Sequence, residues 1–586
     1  MSLPRVSFGA RLLVTCAMTA ALAAPQGAWS QAAPGGAPVA PPGASRAGVT
    51  AQELNPAARV PPVAQRDADL FAPEPPGPCP LAESTVQVTL TSVTFRGATA
   101  LTPADFSPIY SSYIGKPTPV SAICEIRDQA ARALFDRGIL ARVEIPEQRI
   151  AGGALVLDVI EARVVNVRVR GDIGPGQAAV ERYVEKLRGM QPFDMRKAQR
   201  YLLLASDIPG IRVRAAVKPS TSAERGAVDI DIGVTREAYN AVANVQNMGS
   251  KTVGRWGGLL RGDLRSATAY GESTSLVAFH TLESNEQWVV QLLESARIGG
   301  DGLILRGSAV YGESRPGDVL KPLDLTSKSA VGSIEAAYPL LRNRRQNINV
   351  ASGVELINQD TRAAGFGLLS RDHLRVLYAR ADGDARTYAG DLPVLLNGGL
   401  TLRKGLSGFG ASSDGLTNPN NRLTRADSKV DAWLVRGNGG LDTAFTNRLS
   451  GSLRVQAQYT SQTLAPYEQL AVGSLTNGRG YDPATLLGDT GISGSAELRY
   501  GGMQLHPLVL ASPYVFADAG YIHNNKAARS GLSSHRSLKS VGAGVTLRIG
   551  NRANLDLAYA RPLDSATVGG RRQGGRVLVN LTASIL

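Results

Sequence analysis

The sequence predicts a membrane β-barrel of about sixteen antiparallel strands, preceded by two small α+β modules. Three features predict it. The N-terminus reads as an export signal, a unit of about 75 residues is used twice before position 236, and strand alternation takes over beyond Arg236. Composition sets the outer bounds. The chain has 586 residues, with Lys+Arg 63 against Asp+Glu 49, a net charge of +14, only 19% charged residues and 43% hydrophobic ones. That balance excludes a disordered tail protein and an extreme polybasic nucleic-acid binder. After residue 30 no run of about 18–20 apolar residues occurs, so nothing there could span a bilayer as a helix. A barrel stays open, because its alternating strands leave the mean hydropathy near zero, here −0.07.

Arg5 and Arg11 form the positive region of a secretory signal, Leu12 to Ala24 its apolar core, and Ala28-Trp29-Ser30 its cleavage site, so residues 1–30 are expected to be removed. Cys16 goes with them. Cys79 and Cys124 remain in an oxidising compartment, where a disulfide between them is expected. Residues 31–80 hold 12 of the 33 prolines and read as a linker, with room for a short helix between Gly48 and Arg59.

From Val86 the segment VQVTLTSVTFRG reads as a strand, Ser121 to Asp136 as a helix with Ile123, Ile126, Ala130 and Leu134 at helical spacing, and Gly138 as its stop. Strands ILARVEIP and GALVLDVIEA follow, joined through Gly152-Gly153. The order recurs as strand ARVVNVRVRG, helices near Ala179 to Leu187 and from Asp194 to Ala205, and strands IRVRAAVKP and GAVDIDIGVT. The two modules are placed at 81–162 and 163–235, and the barrel at 236–586. In the barrel, Leu453, Val455, Ala457 and Tyr459 face one way and Arg454, Gln456 and Gln458 the other; Val541 to Ile549 and Leu555 to Tyr559 alternate likewise. A β-sandwich gives the same alternation with its apolar face inward. Segments of about 9–11 residues, the signal peptide, and room for about sixteen strands at roughly 22 residues each favour the barrel.

The search for an enzyme is negative. No histidine is followed by Glu, no serine sits in G-x-S-x-G, and no Walker lysine follows a Gly-x4-Gly run. One segment, Asn477 to Gly501, stands out: Arg479 between two glycines could extend into a cavity, with Tyr481 beside it as an anchor and Gly488, Asp489 and Gly491 as the turn re-entering a strand. An ordinary solvated hairpin loop is the plain alternative. In the next strand Tyr514, Phe516, Asp518 and Gly520 share a face, so Asp518 would sit inside a barrel and need a partner. Arg479 is the expected partner, with Glu497 as a second carboxylate at inward parity beside Arg499.

With these residues in place, the chain resembles the outer-membrane transporters of two-partner secretion, the hemolysin and filamentous-hemagglutinin exporter family, over nearly everything after Cys79. The family's V/I-R-G-Y/F loop tip is matched by Gly478-Arg479-Gly480-Tyr481, and its F-x-D-x-G strand by Phe516, Asp518 and Gly520. Its paired cysteines match Cys79 and Cys124. The first module's closing pattern appears as Pro146, Gln148, Gly153, Leu155 and Glu161, the second's as Asp207, Pro209 and Gly210, and the first barrel strand's end as Asn247, Gly249, Ser250 and Gly254. Residue 478 departs from the family's Val or Ile, which is expected to loosen that side of the tip.

The resemblance implies a plug helix, two periplasmic POTRA modules and a sixteen-stranded barrel whose loop 462–492 folds back into the pore. It further implies export of an unfolded partner protein that carries an N-terminal secretion domain, without ATP, enzymatic activity, cofactor or metal. Contacts with outer-membrane lipid and lipopolysaccharide, and with the barrel-assembly machinery during biogenesis, follow from it, and no nucleic acid does. POTRA modules would capture extended substrate by β-augmentation. The basic balance suits acidic partners or lipid head groups. A barrel-assembly insertase would share the modules and the inward loop but typically carries more modules. A passive or ligand-gated porin would not need Cys79 to Val234.

Overall fold

A computed structural model describes residues 78–585 except 223, 284–285, 415–421, 474–476, 526–533 and 566–573. The expected signal, most of the linker and the helix expected at Gly48–Arg59 lie outside the described residues.

The first module begins with a correction. VQVTLTSVTFRG does not run as one strand but breaks into β1 (Gln87–Thr89) and β2 (Ser92–Arg96). Buried Leu90 drops into the core at the break, its carbonyl accepting from Gly115, while the Thr91 amide turns to the Gly153 carbonyl. Next comes α1 (Pro103–Tyr110), a helix that apolar spacing does not disclose. Its start is written in capping chemistry instead. Pro103 fits the first turn, where no N–H is needed, and Asp105 accepts from the Thr102 amide at 2.9 Å and hydroxyl at 2.6 Å. The Thr102 hydroxyl, then its amide and Arg137, hold the Asp105 carboxyl down to about 2.

Strand β3 (Pro117–Pro119) pairs with β1, and α2 (Ala122–Asp136) presents Ile123, Ile126, Ala130 and Leu134 to the sheet. In that sheet β5 (Ala154–Glu161) lies parallel to β2 and antiparallel to β4 (Ala141–Glu144). Residues of the closing pattern pin it: the Gln148 amide bonds Val156 on both backbone groups at 2.6 and 2.9 Å, and Glu161 accepts from the amides of Thr99 and Ala100. Cys79 and Cys124 are disulfide-bonded, tying the segment before β1 to α2.

With α1 present, the second module repeats the first in its strand, helix, helix, strand, strand order, without counterparts of β1 and β3. Strand β6 (Arg163–Arg170) leads to α3 (Gln177–Val184), α4 (Met195–Ser206), β7 (Ile211–Pro219) and β8 (Ala227–Arg236); β6 lies parallel and β7 antiparallel to β8. Asp194 caps α4 by accepting from the amides of Arg196 and Lys197. Val180, Tyr183, Leu202, Ile230 and Ile232 fill the core.

Sixteen antiparallel strands then close a barrel, counting Thr490–Tyr500 and its continuation Met503–His506 as one. Leu260, Leu276 and Leu453 are exposed on its outer face, whereas Asn244, Gln291, Ser329, Gln359 and Gln458 are buried inside. A sandwich would hide the apolar side, so this inversion decides for a membrane barrel. Strand length departs from expectation. Leu325–Arg342, Gln346–Ala363 and Gly367–Ala389 are 18, 18 and 23 residues long, where about 9–11 suffice to cross a bilayer, so one wall stands well beyond it. The closing seam is short, with five residues of Arg576–Ser584 in register with Tyr239–Gln246, against 17 between Leu325–Arg342 and its successor.

The second module is seated on the barrel's short turns. Asp207 takes a bidentate bond from Arg342 at 2.7 and 2.8 Å, the Pro209 carbonyl accepts from Ser266 at 2.7 Å, and Arg182 donates to the Ala269 carbonyl at 2.8 Å. Gly271, at positive φ, lies so near that an added Cβ would stand 2.8 Å from Ile208.

In protein taken from outer membranes, non-reduced peptide mapping should recover Cys79 linked to Cys124. Reduction should lower the first module's resistance to thermal unfolding by about 3–4 kcal/mol in the chain-entropy picture. Two free thiols in native protein would contradict the bridge.

Candidate functional site: a loop tied inside the barrel

The loop after Leu449–Tyr459 turns into the barrel instead of outward. A single turn at Pro466–Glu468 is followed by a narrow hairpin, Leu470–Val472 against Leu486–Gly488, which carries residues 478–481 near its end. Backbone brought into the lumen leaves water, so its polar groups need partners there.

At the base of the loop Asp489 is fully buried. It pairs with Arg425 at 2.6 Å and accepts from Leu464 N at 3.0 Å, Asn525 N at 2.8 Å and the Gln469 amide at 3.1 Å. The expected turn at Gly488, Asp489 and Gly491 is therefore a corrected assignment, because Asp489 is an anchor and Thr490–Tyr500 starts immediately after it. Beside it, Glu468 takes both branches of Arg403 at 2.9 and 2.6 Å, and Arg403 reaches on to Glu355. Sequence reasoning missed both pairs. Inward parity marks Arg403 and Glu355 as charges needing partners, but Arg425 lies 64 residues from Asp489 in an irregular segment that carries no such signal.

At the tip, Arg479 meets two strands of the wall. Its amide donates to Asp518 Oδ2 at 2.8 Å, its guanidinium to both Asp518 oxygens at 3.2 and 2.9 Å, to Glu497 at 3.0 Å and to Ser495 at 2.7 Å. The guanidinium carbon lies 3.5 Å from the centre of the Phe516 ring, a cation–π contact that fills the remaining face. Asp518 is wholly buried and also accepts from Ser540 at 3.2 Å.

The glycines have steric reasons. A Cβ on Gly480 would stand 2.8 Å from Ser540 Cβ, and one on Gly520 would stand 2.4 Å from Val472, where the hairpin lies against the wall. Gly478 corrects an expectation. It has φ +74 and would meet Leu538 at 2.9 Å, so the departure from Val or Ile accompanies a tight left-handed turn, not a loosened one. Tyr481 is buried among Leu470, Val472, Leu486, Ile522 and Leu538, with its hydroxyl 2.9 Å from the Lys539 carbonyl and accepting from Asp564 N at 3.0 Å. A further pair escaped the sequence: Asp482 meets Arg576 at 3.1 Å and Arg255 at 3.4 Å, and Arg576 also holds the carbonyls of Tyr481 and Gly249.

Arg479, Gly480, Tyr481, Asp518, Phe516, Gly520 and Glu497 are thus gathered at one place, while Cys79 and Cys124 lie in the first module. Among the described residues no group of His, Cys, Asp or Glu could hold a metal. All the carboxylates at the tip are engaged by cations or amides, an arrangement suited to fastening a segment.

A closed barrel with an apolar exterior, α+β modules at one mouth and a loop fastened in its lumen defines an outer-membrane β-barrel transporter. The chain belongs to the family of haemolysin secretion/activation proteins ShlB/FhaC/HecB, whose profile matches residues 226–549, more than half of its length. A POTRA domain of ShlB type matches residues 88–162.

Among curated relatives, the heme/hemopexin transporter protein HuxB of Haemophilus influenzae is 19% identical over 475 residues, 79% of this chain and 81% of its own. Among solved structures, CdiB from Escherichia coli superposes with a TM-score of 0.73 at 16% identity, covering 89% of this chain and 94% of that one. CdiB from Acinetobacter baumannii gives 0.63 at 16% identity over 86% and 91%. The protein is a two-partner secretion transporter of the outer membrane, with its POTRA region in the periplasm.

Removing one member of a buried ion pair costs about 3–5 kcal/mol, against about 0–1 kcal/mol for a solvated one. Arg479→Ala and Asp518→Ala should therefore each free the loop, read as protease cleavage within 462–492, in barrels that still insert. The double variant should be less than additively worse. A loop equally protected in both single variants would show that the pair does not fasten it.

Proposed function

We propose that the protein takes an unfolded partner polypeptide, marked by an N-terminal secretion domain, from the periplasm to the cell surface through this pore without ATP. The observation that carries the reading is the loop tip: Arg479 is tied to Asp518 and Glu497 inside the lumen, so the segment obstructing the path is held by polar contacts that water can replace. In this reading Arg479, Gly480, Tyr481, Phe516, Asp518, Gly520 and Glu497 form a pore lock. The modules at 81–162 and 163–235 receive the chain, and the barrel spans 236–586. Sheet edges at β2, β4, β6 and β7 offer backbone groups for β-augmentation. Folding of the partner outside supplies the drive. Lipid and lipopolysaccharide surround the barrel, and the barrel-assembly machinery inserts it. The protein performs no enzymatic reaction.

The test is reconstitution of the full chain in liposomes with a cognate partner kept unfolded and no nucleotide. Partner that becomes protected from added protease across the bilayer, and fails to do so with Arg479→Ala, supports the proposal. Dependence on nucleotide, or passage unaffected by that substitution, overturns it. Deleting residues 48–59 should raise the conductance of the empty pore if they form the plug. Unchanged conductance would assign them to the linker.

A further inference from the structure

The mouth of the barrel beneath the second module encloses a cavity of about 1810 Å³, bounded by α4 and the inner barrel wall. Small-molecule sites occupy roughly 300–1,000 Å³, so this space is of polymer size. Its lining is strongly one-sided in charge, with nine Lys and Arg side chains against two carboxylates, Asp442 and Glu497. Both carboxylates are engaged. Asp442 pairs with Arg454 at 2.6 Å, and Glu497 with Arg479 at 3.0 Å and Arg499 at 2.6 Å.

Arg200, Arg345 and Arg386 form no ion pair among the described residues; Arg200 donates to the Pro339 carbonyl at 2.8 Å. Arg386 shares strand parity with Asp382 and Asp384, which accept from Asn349 and Asn347 of the neighbouring strand, and that parity faces the lumen. Tyr338 and Tyr388 add aromatic surface between the cations. Concave walls of one sign focus the field and raise the local concentration of the opposite charge.

We infer that this vestibule is a docking site for an acidic, extended stretch of the exported polypeptide. The inference rests on the exporter reading and specifies its substrate chemistry. A carboxylate-bearing chain supplies several anions on one backbone to meet the several guanidinium groups of the wall, and it leaves backbone and apolar side chains for Tyr338 and Tyr388. The inward position favours polypeptide over lipid, whose phosphates reach the outer surface of the wall. Lying beside Arg499 and Glu497, the site leads to the contacts of the loop tip, so incoming carboxylates compete for the cations that Glu497 occupies.

The test uses the full chain in detergent and labelled peptides of about ten residues that alternate Ser with Glu, with Lys or with Gln, read by fluorescence anisotropy at low salt. The Glu peptide should bind at least about tenfold more tightly than the other two and should lose that margin on raising salt from about 0.05 to 0.5 M. The double substitution Arg345→Gln with Arg386→Gln, which breaks no ion pair, should weaken it about tenfold. Equal binding of the Gln peptide, or no change in the double variant, overturns the inference. So does displacement of the Glu peptide by phosphatidylglycerol micelles with phosphatidylglycerol binding unaffected by the double variant, since the site would then be a lipid site elsewhere. If the Glu peptide fails to bind while partner still crosses liposomes, this inference falls and the exporter reading stands; binding without crossing gives the reverse.

Discussion

Threading a loop through a barrel takes its amides, carbonyls and charged side chains out of bulk water, and each must find a partner in the wall. Here the demand is met at both ends of the loop: Asp489 with Arg425 and Glu468 with Arg403 at the base, and Arg479 with Asp518 and Glu497 at the tip. Such pairs are costly to half-break in a dry place, because the abandoned charge is stranded. They are cheap to exchange for water in a wet one. The same contacts therefore hold the loop firmly in a closed lumen and would be exchanged at little cost in a hydrated one.

The tip was legible because two different patterns converged on it. Strand parity placed Asp518 inside, a buried carboxylate needs a cation, and an arginine between glycines 39 residues upstream could supply one. Reasoning from parity also reached Glu497. It stopped at Asp489, which reads as a turn residue between glycines and whose partner Arg425 lies in a segment without periodicity. Helix α1 was missed for a related reason: its first turn is specified by Thr102, Pro103 and Asp105, while only Phe106 of its residues is buried, so apolar spacing had almost nothing to report. The break at Leu90 is a tertiary event, since continuous alternation gives no hint that a chain will change sheets midway.

The junction of module and barrel explains residues that the sequence could only match to a pattern. Asp207 is held by Arg342 from a barrel turn, and Pro209 gives its carbonyl to Ser266. Gly271 permits the approach that Ile208 and Ala179 complete. With polar clamps at the edge and close packing at the centre, the module is fitted to the rim above the cationic vestibule.

Arg576 stands on the last strand, next to a seam of only five residues in register, and its guanidinium grips the loop through Tyr481 and Asp482 while reaching the Gly249 carbonyl just past the end of the first strand. The loop thus acts as an internal tie across the joint of a hoop. Occupancy of the lumen and circumference of the hoop are mechanically linked: a barrel that has expelled its loop has also untied its weakest joint, and the bore available to a passing chain is then set by how far the hoop can spring.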